Sequence, residues 1–266
     1  MSDDSRIKQA AEYVEKQYEA SQPIDIMVQD FAPRSIKEAY AVQASFLQLL
    51  SATKGPVGGY KIASTNPATR QRTGVSGPCA AGIFARHIYS SPATLNSADY
   101  HQFCIECEVG VQLASDLSAS GAPYTRSNVS DAIESLTVAF ELIDRRESAS
   151  GSREFAPDIK SISTISNAGA VLGSPVTDWR GIDLAASRGT MTINGERVSE
   201  GRGANVMGHP LEALAWLANL KAEQGNALKA GMLILTGTLT GLMPLTSGDT
   251  ATIAIDGLGE AHLKLT

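Results

Sequence analysis

The chain has 266 residues, of which 43% are hydrophobic and 19% charged, and its formal net charge is −6. This length and composition exclude a disordered chain and allow a complete hydrophobic core in one or two domains. The acidic balance disfavours nucleic acid or an anionic membrane surface as the main partner. A small anionic substrate stays possible, because a bound metal ion reverses the local field.

No apolar stretch approaches the roughly 20 residues of a membrane span, and the polar first twenty residues lack a signal-peptide pattern. The three cysteines, Cys79, Cys104 and Cys107, are too few for a disulfide framework. We therefore expect a cytoplasmic protein with no membrane partner.

The first fifty residues predict helices. Apolar residues recur at helical spacing over 7–14. Ser35 followed by Glu38 is a capping-box pattern, which predicts a second helix ending near Gly55. From Val57 onwards, short β-prone runs separated by glycines replace the helical pattern.

The middle of the chain predicts strands joined by shorter polar segments. A helix is predicted over 127–135, with Ser127 or Ser130 as its cap, and a polar loop over 145–160.

The last third combines hairpin signals with one helix. Asn-Gly at 194–195 and Asp-Gly at 256–257 are typical of hairpin turns. A helix begins with Pro210 in its first turn and stops at Gly225. The order of elements predicts a small helical N-terminal part followed by a larger, mostly antiparallel β domain, with the boundary within 55–75.

Two predicted strands carry three carboxylates. In the strand 103–113, Glu106 and Glu108 project from the same face, roughly 6.5–7 Å apart along the strand. Glu141 lies among small and apolar neighbours in the strand 136–144. If the strands are close, the three glutamates form an all-oxygen site for Mg²⁺ or Mn²⁺. The alternative is the ordinary alternation of a half-exposed strand.

Two further segments have polar groups beside glycines. Lys61 follows Gly58 and Gly59, so it could face a cleft and hold an anionic substrate or move a proton; a surface lysine is the alternative. Thr238 closes the segment 235–238 at the end of the apolar strand 232–235, where hydroxyls and free N–H groups could receive an oxyanion or a carboxylate; a simple turn is the alternative.

Several stretches coincide, in order and spacing, with one family. They are AYAVQ at 39–43, GYKIAST at 59–65, IECEVGVQL at 105–113, AFELIDRR at 139–146, SNAGAVLG at 166–173, EGRGANVMGHPLEALAWLA at 200–218 and AGMLILTGTLTG at 230–241. From about residue 35 to its end, the chain resembles the hydratase/decarboxylase branch of the fumarylacetoacetate hydrolase superfamily, in particular 2-keto-4-pentenoate hydratases.

The resemblance implies an α+β fold with a mixed β-roll or sandwich core. It implies an N-terminal helical α/β region over 1–70, a catalytic β domain over 71–266, and a homo-oligomer. It also implies the metal site on the three glutamates, Lys61 as an active-site lysine and Thr238 as a contact to the acid end of the substrate.

Two positions of the implied substrate pocket depart from the family pattern. Similar hydratases carry an aspartate near position 79, where this chain has Cys79. They carry another before Asn167, where this chain has Ser166. Both replacements remove a carboxylate from the substrate-binding pocket.

The implied activity is that of a metal-dependent hydratase, a carbon–oxygen lyase. Its substrate is a small unsaturated 2-oxo acid such as 2-hydroxypenta-2,4-dienoate, in aromatic-compound catabolism, and it reacts through an enolate that the metal stabilises. One alternative is a 2-oxo-acid decarboxylase or acylpyruvate-type C–C hydrolase with the same site. The other is a 2-oxo-acid-binding protein without turnover.

Overall fold

A computed structural model describes residues 3–146, 157–164 and 166–266. The helices are α1 (Asp3–Glu19), α2 (Ile36–Lys54), α3 (Pro67–Thr73), α4 (Arg126–Val129), α5 (Pro157–Thr164) and α6 (Pro210–Glu223). The strands are β1 (Val57–Ala63), β2 (Cys79–Phe84), β3 (Ile88–Ser90), β4 (Ala93–Leu95), β5 (Phe103–Leu113), β6 (Ile133–Asp144), β7 (Asn167–Leu172), β8 (Arg188–Ile193), β9 (Glu196–Arg202), β10 (Leu233–Thr238), β11 (Met243–Pro244), β12 (Thr250–Ile255) and β13 (Gly259–Leu265). Within these ranges no helix has the length and apolar character to cross a bilayer.

The strands form two mixed sheets. The large sheet has the order β2-β1-β10-β5-β6-β7-β3, with β11 paired to β5 outside this path. The small sheet has the order β4-β13-β12-β8-β9. Most neighbours are antiparallel, whereas β1–β10, β3–β7 and β4–β13 are parallel. The predicted α+β class, with a mixed-sheet core and a helical N-terminal region, is confirmed.

The alternation of β5 and β6 decides which face of the large sheet is buried in the main core. Ile105 and Val109 of β5 and Phe140 of β6 are fully buried, in one cluster with Met191 and Ile253 of the small sheet. Burying each such side chain contributes about 1.5–3 kcal/mol. Because side chains alternate along a strand, Glu106 and Glu108 of β5 and Glu141 of β6 lie on the opposite face.

The N-terminus of α2 is fixed by the residues that the sequence indicates. Ser35 is the N-cap, and its hydroxyl accepts a hydrogen bond from the Glu38 N–H at 3.2 Å. The Glu38 carboxylate accepts from the N–H of Arg34 and pairs with Arg6 of α1, each at 2.9 Å. The same capping segment therefore joins the first two helices. The helix ends at Lys54, as predicted.

Side chains of α2 cover the free edge of the large sheet at β2. The Ala80 N–H donates to the Tyr40 hydroxyl at 3.2 Å, and Gln43 Nε2 donates to the Ala80 carbonyl at 2.9 Å. These bonds satisfy edge groups that would otherwise lack partners. They attach the N-terminal helices next to β1, whose side chains reach the candidate site.

The helix predicted over 127–135 is wrong in both its bounds and its cap. Helix α4 starts after Thr125, which forms a reciprocal capping box with Asn128, and it ends at Val129. Ile133 already belongs to β6, because its burial in the main core and its pairing with Leu113 outweigh local helix propensity.

The loop predicted over 145–160 is wrong at its end, where α5 begins at Pro157; residues 147–156 lie outside the described part of the chain. Both hairpin predictions are confirmed, at 194–195 between β8 and β9 and at 256–257 between β12 and β13. The predicted domain boundary between 70 and 71 stays a prediction.

Candidate metal centre and active site

The pairing of β5 with β6 brings the three predicted glutamates together. Glu106 lies directly opposite Glu141, and Glu108 lies opposite Ala139. One carboxylate oxygen of each glutamate lies within 4.8 Å of the others. Glu108 and Glu141 are fully buried and Glu106 is half-buried. We call this group the carboxylate cluster.

Burial and mutual repulsion oppose ionisation within the carboxylate cluster. Burial, with repulsion from Glu141, raises the pKa of Glu106 to about 8. Burial and the other two carboxylates raise the pKa of Glu108 well above its ordinary value. Groups that resist ionisation in this way indicate a position for positive charge.

Two neighbouring groups orient the buried glutamates. The Gly237 N–H donates to Glu108 Oε2 at 2.7 Å, and Asn167 Nδ2 donates to Glu141 Oε1 at 3.2 Å. Glu108 Oε1 is buried and has no hydrogen-bond partner in the described part of the chain. An unsatisfied buried carboxylate oxygen is costly, so this atom is the clearest sign that a further ligand belongs here.

Gly237 has a conformation and a position that a side chain would not tolerate. Its φ is +115°, and a Cβ atom there would lie 2.4 Å from Oγ1 of the buried Thr65. The absence of a side chain lets the backbone N–H approach Glu108 closely.

Lys61 completes the charged group from β1. Its Nζ lies 3.3 Å from Glu141 Oε1, and its side chain is 11% exposed. Burial lowers the pKa of Lys61, but attraction to Glu141 and other neighbouring negative groups more than offsets it, so the pKa is raised overall. The ammonium balances one of the three carboxylates.

The donor set fits a hard divalent cation. Three carboxylates provide only oxygen ligands, which suit Mg²⁺ or Mn²⁺, and one of their oxygens has no other partner. A three-residue ligand set leaves coordination positions for water or a chelating substrate.

Thr238 lies next to the cluster at the end of β10, opposite Glu108 in the register with β5. It is half-buried, and its hydroxyl oxygen accepts a hydrogen bond from the Gly241 N–H at 2.9 Å. That bond leaves the hydroxyl proton available to an acceptor.

The two positions that depart from the family pattern are placed differently. Cys79 lies on β2 opposite Ala63, two residues from Lys61 along β1, and it is buried. Burial raises the pKa of its thiol, while Lys61 opposes that shift. Ser166 is half-buried just before β7, and its carbonyl accepts from the Asp144 N–H at 2.9 Å. Their roles toward a substrate stay predictions.

Sequence reasoning missed two groups that orient the cluster. Asn167 is a buried amide at the first position of β7, and Gly237 contributes a backbone N–H. A polar residue opening an otherwise small and apolar strand, NAGAVL, is a signal for the first. The sequence has no corresponding signal for a backbone donor.

The fold and the cluster define an α+β protein whose large sheet holds a three-carboxylate site suited to a divalent cation. Residues 69–266 match the family model described as fumarylacetoacetate (FAA) hydrolase C-terminal. The chain belongs to the fumarylacetoacetate hydrolase family.

Full-length relatives have related names. The chain is 32% identical over 266 residues to 2-keto-4-pentenoate hydratase of Paraburkholderia phymatum, covering 98% of each chain. It is 29% identical to 2-hydroxyhexa-2,4-dienoate hydratase of Comamonas testosteroni, covering 100% of each. Among solved structures, it is similar to 4-oxalocrotonate decarboxylase from Pseudomonas putida G7, complexed with magnesium and adipate. The TM-score is 0.90 and the identity 27%, with 100% of this chain and 99% of that chain covered.

Proposed function

We propose that this protein is a divalent-cation-dependent hydratase, a hydro-lyase acting on a small unsaturated 2-oxo acid such as 2-hydroxypenta-2,4-dienoate, in aromatic-compound catabolism. The observation that carries the proposal is the buried carboxylate cluster with its unsatisfied Glu108 oxygen, beside a lysine and a threonine. Full-length similarity to hydratases of this substrate class supports it.

Glu106, Glu108 and Glu141 are the residues that would hold Mg²⁺ or Mn²⁺. When bound, such an ion polarises the carbonyl of a 2-oxo acid and stabilises negative charge that develops on it. Asn167 and the Gly237 N–H fix two of the carboxylates by hydrogen bonds, so the ligand oxygens are oriented before the ion arrives.

Lys61 is the proposed proton carrier. Its Nζ lies on the Glu141 side of the cluster, and the side chain is shielded from bulk water. Hydration of a 2-hydroxydienoate needs two proton transfers to carbon, one when the 2-hydroxyl form becomes the ketone and one when water adds. In each step Lys61 would give its proton to carbon and regain one, first from the 2-hydroxyl group and then from the adding water, so it ends as the ammonium again.

Thr238 is the proposed contact to the substrate carboxylate, because its hydroxyl proton is free and it lies opposite Glu108. Cys79 and Ser166 are the proposed pocket residues toward the rest of the substrate. The family pattern places aspartates at these two positions, and a carboxylate can transfer protons. Because this chain has a thiol and a hydroxyl there instead, Lys61 is the main proton-transfer group.

A decarboxylase is the second candidate. The similarity to a 4-oxalocrotonate decarboxylase over the whole chain favours it, and a cation that stabilises negative charge on the carbonyl serves loss of CO₂ equally well. The two reactions give different products but would use the same three glutamates as metal ligands.

Product analysis tests the proposal. Purified protein with Mg²⁺ is given 2-hydroxypenta-2,4-dienoate, and the loss of diene absorbance is followed with mass analysis of the product. We expect a product heavier than the substrate by one water. Release of CO₂ from a 2-oxo-hexenedioate, without any water addition to the dienoate, would favour the decarboxylase. Absence of turnover on either would leave a binding protein.

Lys61→Met tests the lysine separately. We expect turnover to fall while the variant still binds Mn²⁺, since Lys61 is not a ligand. Near-normal turnover with bound metal would remove Lys61 from proton transfer.

We further propose that the protein works in the cytoplasm as a homo-oligomer, with residues 71–266 as its catalytic domain. Light scattering during size-exclusion chromatography measures the oligomer directly, and a monomeric mass would contradict that part of the proposal.

A further inference from the structure

Lys221 is a buried lysine outside the carboxylate cluster, and its neighbours are different residues. It lies in the last turn of α6 and is 8% exposed. Its Nζ lies 3.9 Å from the centre of the Tyr60 ring and 3.5 Å from Gln224 Oε1. Neither neighbour carries a negative charge, so the ammonium is buried without a counter-ion among the described residues.

The other buried cations of the described chain all have one. Arg6 pairs with Asp3 and Glu38, and Arg146 pairs with Asp144. Lys61 lies beside the carboxylate cluster. Burial alone lowers the pKa of Lys221 to about 8, and among the described residues no carboxylate lies close enough to raise it again. An unpaired buried ammonium is costly, which indicates that something else supplies the negative charge.

A cavity of about 410 Å³ adjoins this ammonium, between α2, β1 and the end of α6. Its size falls in the range of about 300–1,000 Å³ that is typical of small-molecule sites. Leu47 and Val57 provide apolar wall, while Gln48, Ser51 and Asn226 provide polar groups. The cavity thus has one cation, a few hydrogen-bonding groups and an aliphatic surface.

We propose that this cavity binds a small aliphatic monocarboxylate, with Lys221 as the charged anchor and the wall formed by Leu47 and Val57 as the seat of its hydrocarbon part. One ammonium matches one negative charge, whereas a phosphate dianion would be left half-neutralised. No arginine fork lines the cavity in the described part of the chain, which also disfavours phosphate.

The site is separate from the carboxylate cluster. Tyr60 and Lys61 are successive residues of β1, so their side chains leave opposite faces of the large sheet. Tyr60 packs on the main core and faces Lys221, whereas Lys61 faces Glu141. A ligand in the cavity therefore contacts neither the proposed metal ligands nor Lys61.

Propionate is the probe, titrated into Mg²⁺-loaded protein and followed by calorimetry. We expect saturable binding that Lys221→Met weakens at least about tenfold, the loss of one charge-assisted hydrogen bond. Lys264→Met, which removes an exposed lysine, and Glu108→Gln, which alters the carboxylate cluster, should both bind propionate like the wild type. Mn²⁺ binding by Lys221→Met shows that the variant is folded.

A crystal of the wild-type protein soaked in propionate tests the position without any variant. We expect the carboxylate at Lys221 Nζ. Three results would overturn the proposal: no saturable binding, equal binding by Lys221→Met, or loss of binding in Glu108→Gln alone. The last result would assign the propionate to the carboxylate cluster.

Discussion

Replacing Lys221 by methionine should stabilise the protein at neutral pH. Methionine keeps the aliphatic contact with Tyr60 and removes a charge whose burial lowers the pKa from 10.5 to about 8. At about 1.4 kcal/mol per pH unit, this difference corresponds to about 3 kcal/mol. The loss of the ammonium–ring contact subtracts about 1 kcal/mol, so we expect a net gain of about 2 kcal/mol at pH 7.

The pH dependence identifies the cause. Because the folded-state pKa is below that of the unfolded chain, the unfolded state binds more protons between pH 8 and pH 10.5. The penalty is therefore complete below pH 8 and declines as the pH rises through that window. Among the described residues, the other titratable groups that line the cavity are Tyr40 and Tyr60, whose pKa values burial raises. Both tyrosines are therefore uncharged near neutral pH, and neither neutralises the ammonium of Lys221.

Urea unfolding of the wild type and Lys221→Met at pH 7 and pH 9.5 measures the effect, in buffers free of carboxylate anions. The free-energy penalty of the buried ammonium, which the variant lacks, should fall from about 3 kcal/mol at pH 7 to about 1.4 kcal/mol at pH 9.5. Lys264→Met, at an exposed position, should change stability little at either pH. A variant that is no more stable than the wild type, or a gain that is independent of pH, would refute the reasoning.

Three further variants test how the candidate site is held. An alanine at a positive φ ordinarily costs about 1–3 kcal/mol of stability. Gly237→Ala should cost more than this, because its Cβ atom would also clash with Thr65. Chemical unfolding measures the loss. Asn167→Ala should weaken Mn²⁺ binding about 10–100-fold in a titration, because it frees the Glu141 carboxylate to rotate. Thr238→Val should raise KM more than it lowers kcat in the hydratase assay, because a hydroxyl donor to the substrate is lost.

Each variant has a matched control. Gly248→Ala lies at a φ of +97° with open space around it in the described structure, so an equal loss of stability there would contradict the steric argument. Asn226→Ala removes an exposed amide and should bind Mn²⁺ like the wild type. If it bound Mn²⁺ as weakly as Asn167→Ala does, the conclusion that Asn167 positions Glu141 would be wrong. Thr238→Ser keeps the hydroxyl and should restore KM; a serine variant as impaired as the valine variant would exclude the hydrogen bond.

The carboxylate cluster was accessible to sequence reasoning because strand alternation fixes faces. Glu106 and Glu108 had to share one face of β5, and Glu141 had to lie opposite the apolar face of β6. The pattern within each strand could not give the register between them. That register, which sets Glu106 against Glu141, depends on packing along the full length of both strands.

The errors at α4 and α5 have a shared physical origin. The local sequence at 127–135 has helical character, but Ile133 is part of the core strand, and tertiary packing overrides local preference. Helix α5 begins at Pro157 within a polar stretch that resembles a loop, and two of its residues, Ile159 and Ile162, are buried against the N-terminal helices. Two isolated isoleucines are too short a pattern to predict a helix from sequence alone.

Lys221 could not be distinguished by sequence from a surface lysine. It occupies the last turn of α6, where a cation interacts favourably with the helix dipole. Only the packing of α6 over Tyr60 shows that the ammonium is buried.

Direct metal binding tests the central claim, that three glutamates of β5 and β6 hold one divalent cation. Titration of protein with Mn²⁺, followed by the paramagnetic resonance signal of the free ion, should give one site per chain. Glu108→Gln should weaken that site more than about 100-fold, whereas Glu134→Gln, at an exposed position of the same sheet, should bind like the wild type. Equal Mn²⁺ binding by Glu108→Gln and the wild type would contradict the claim.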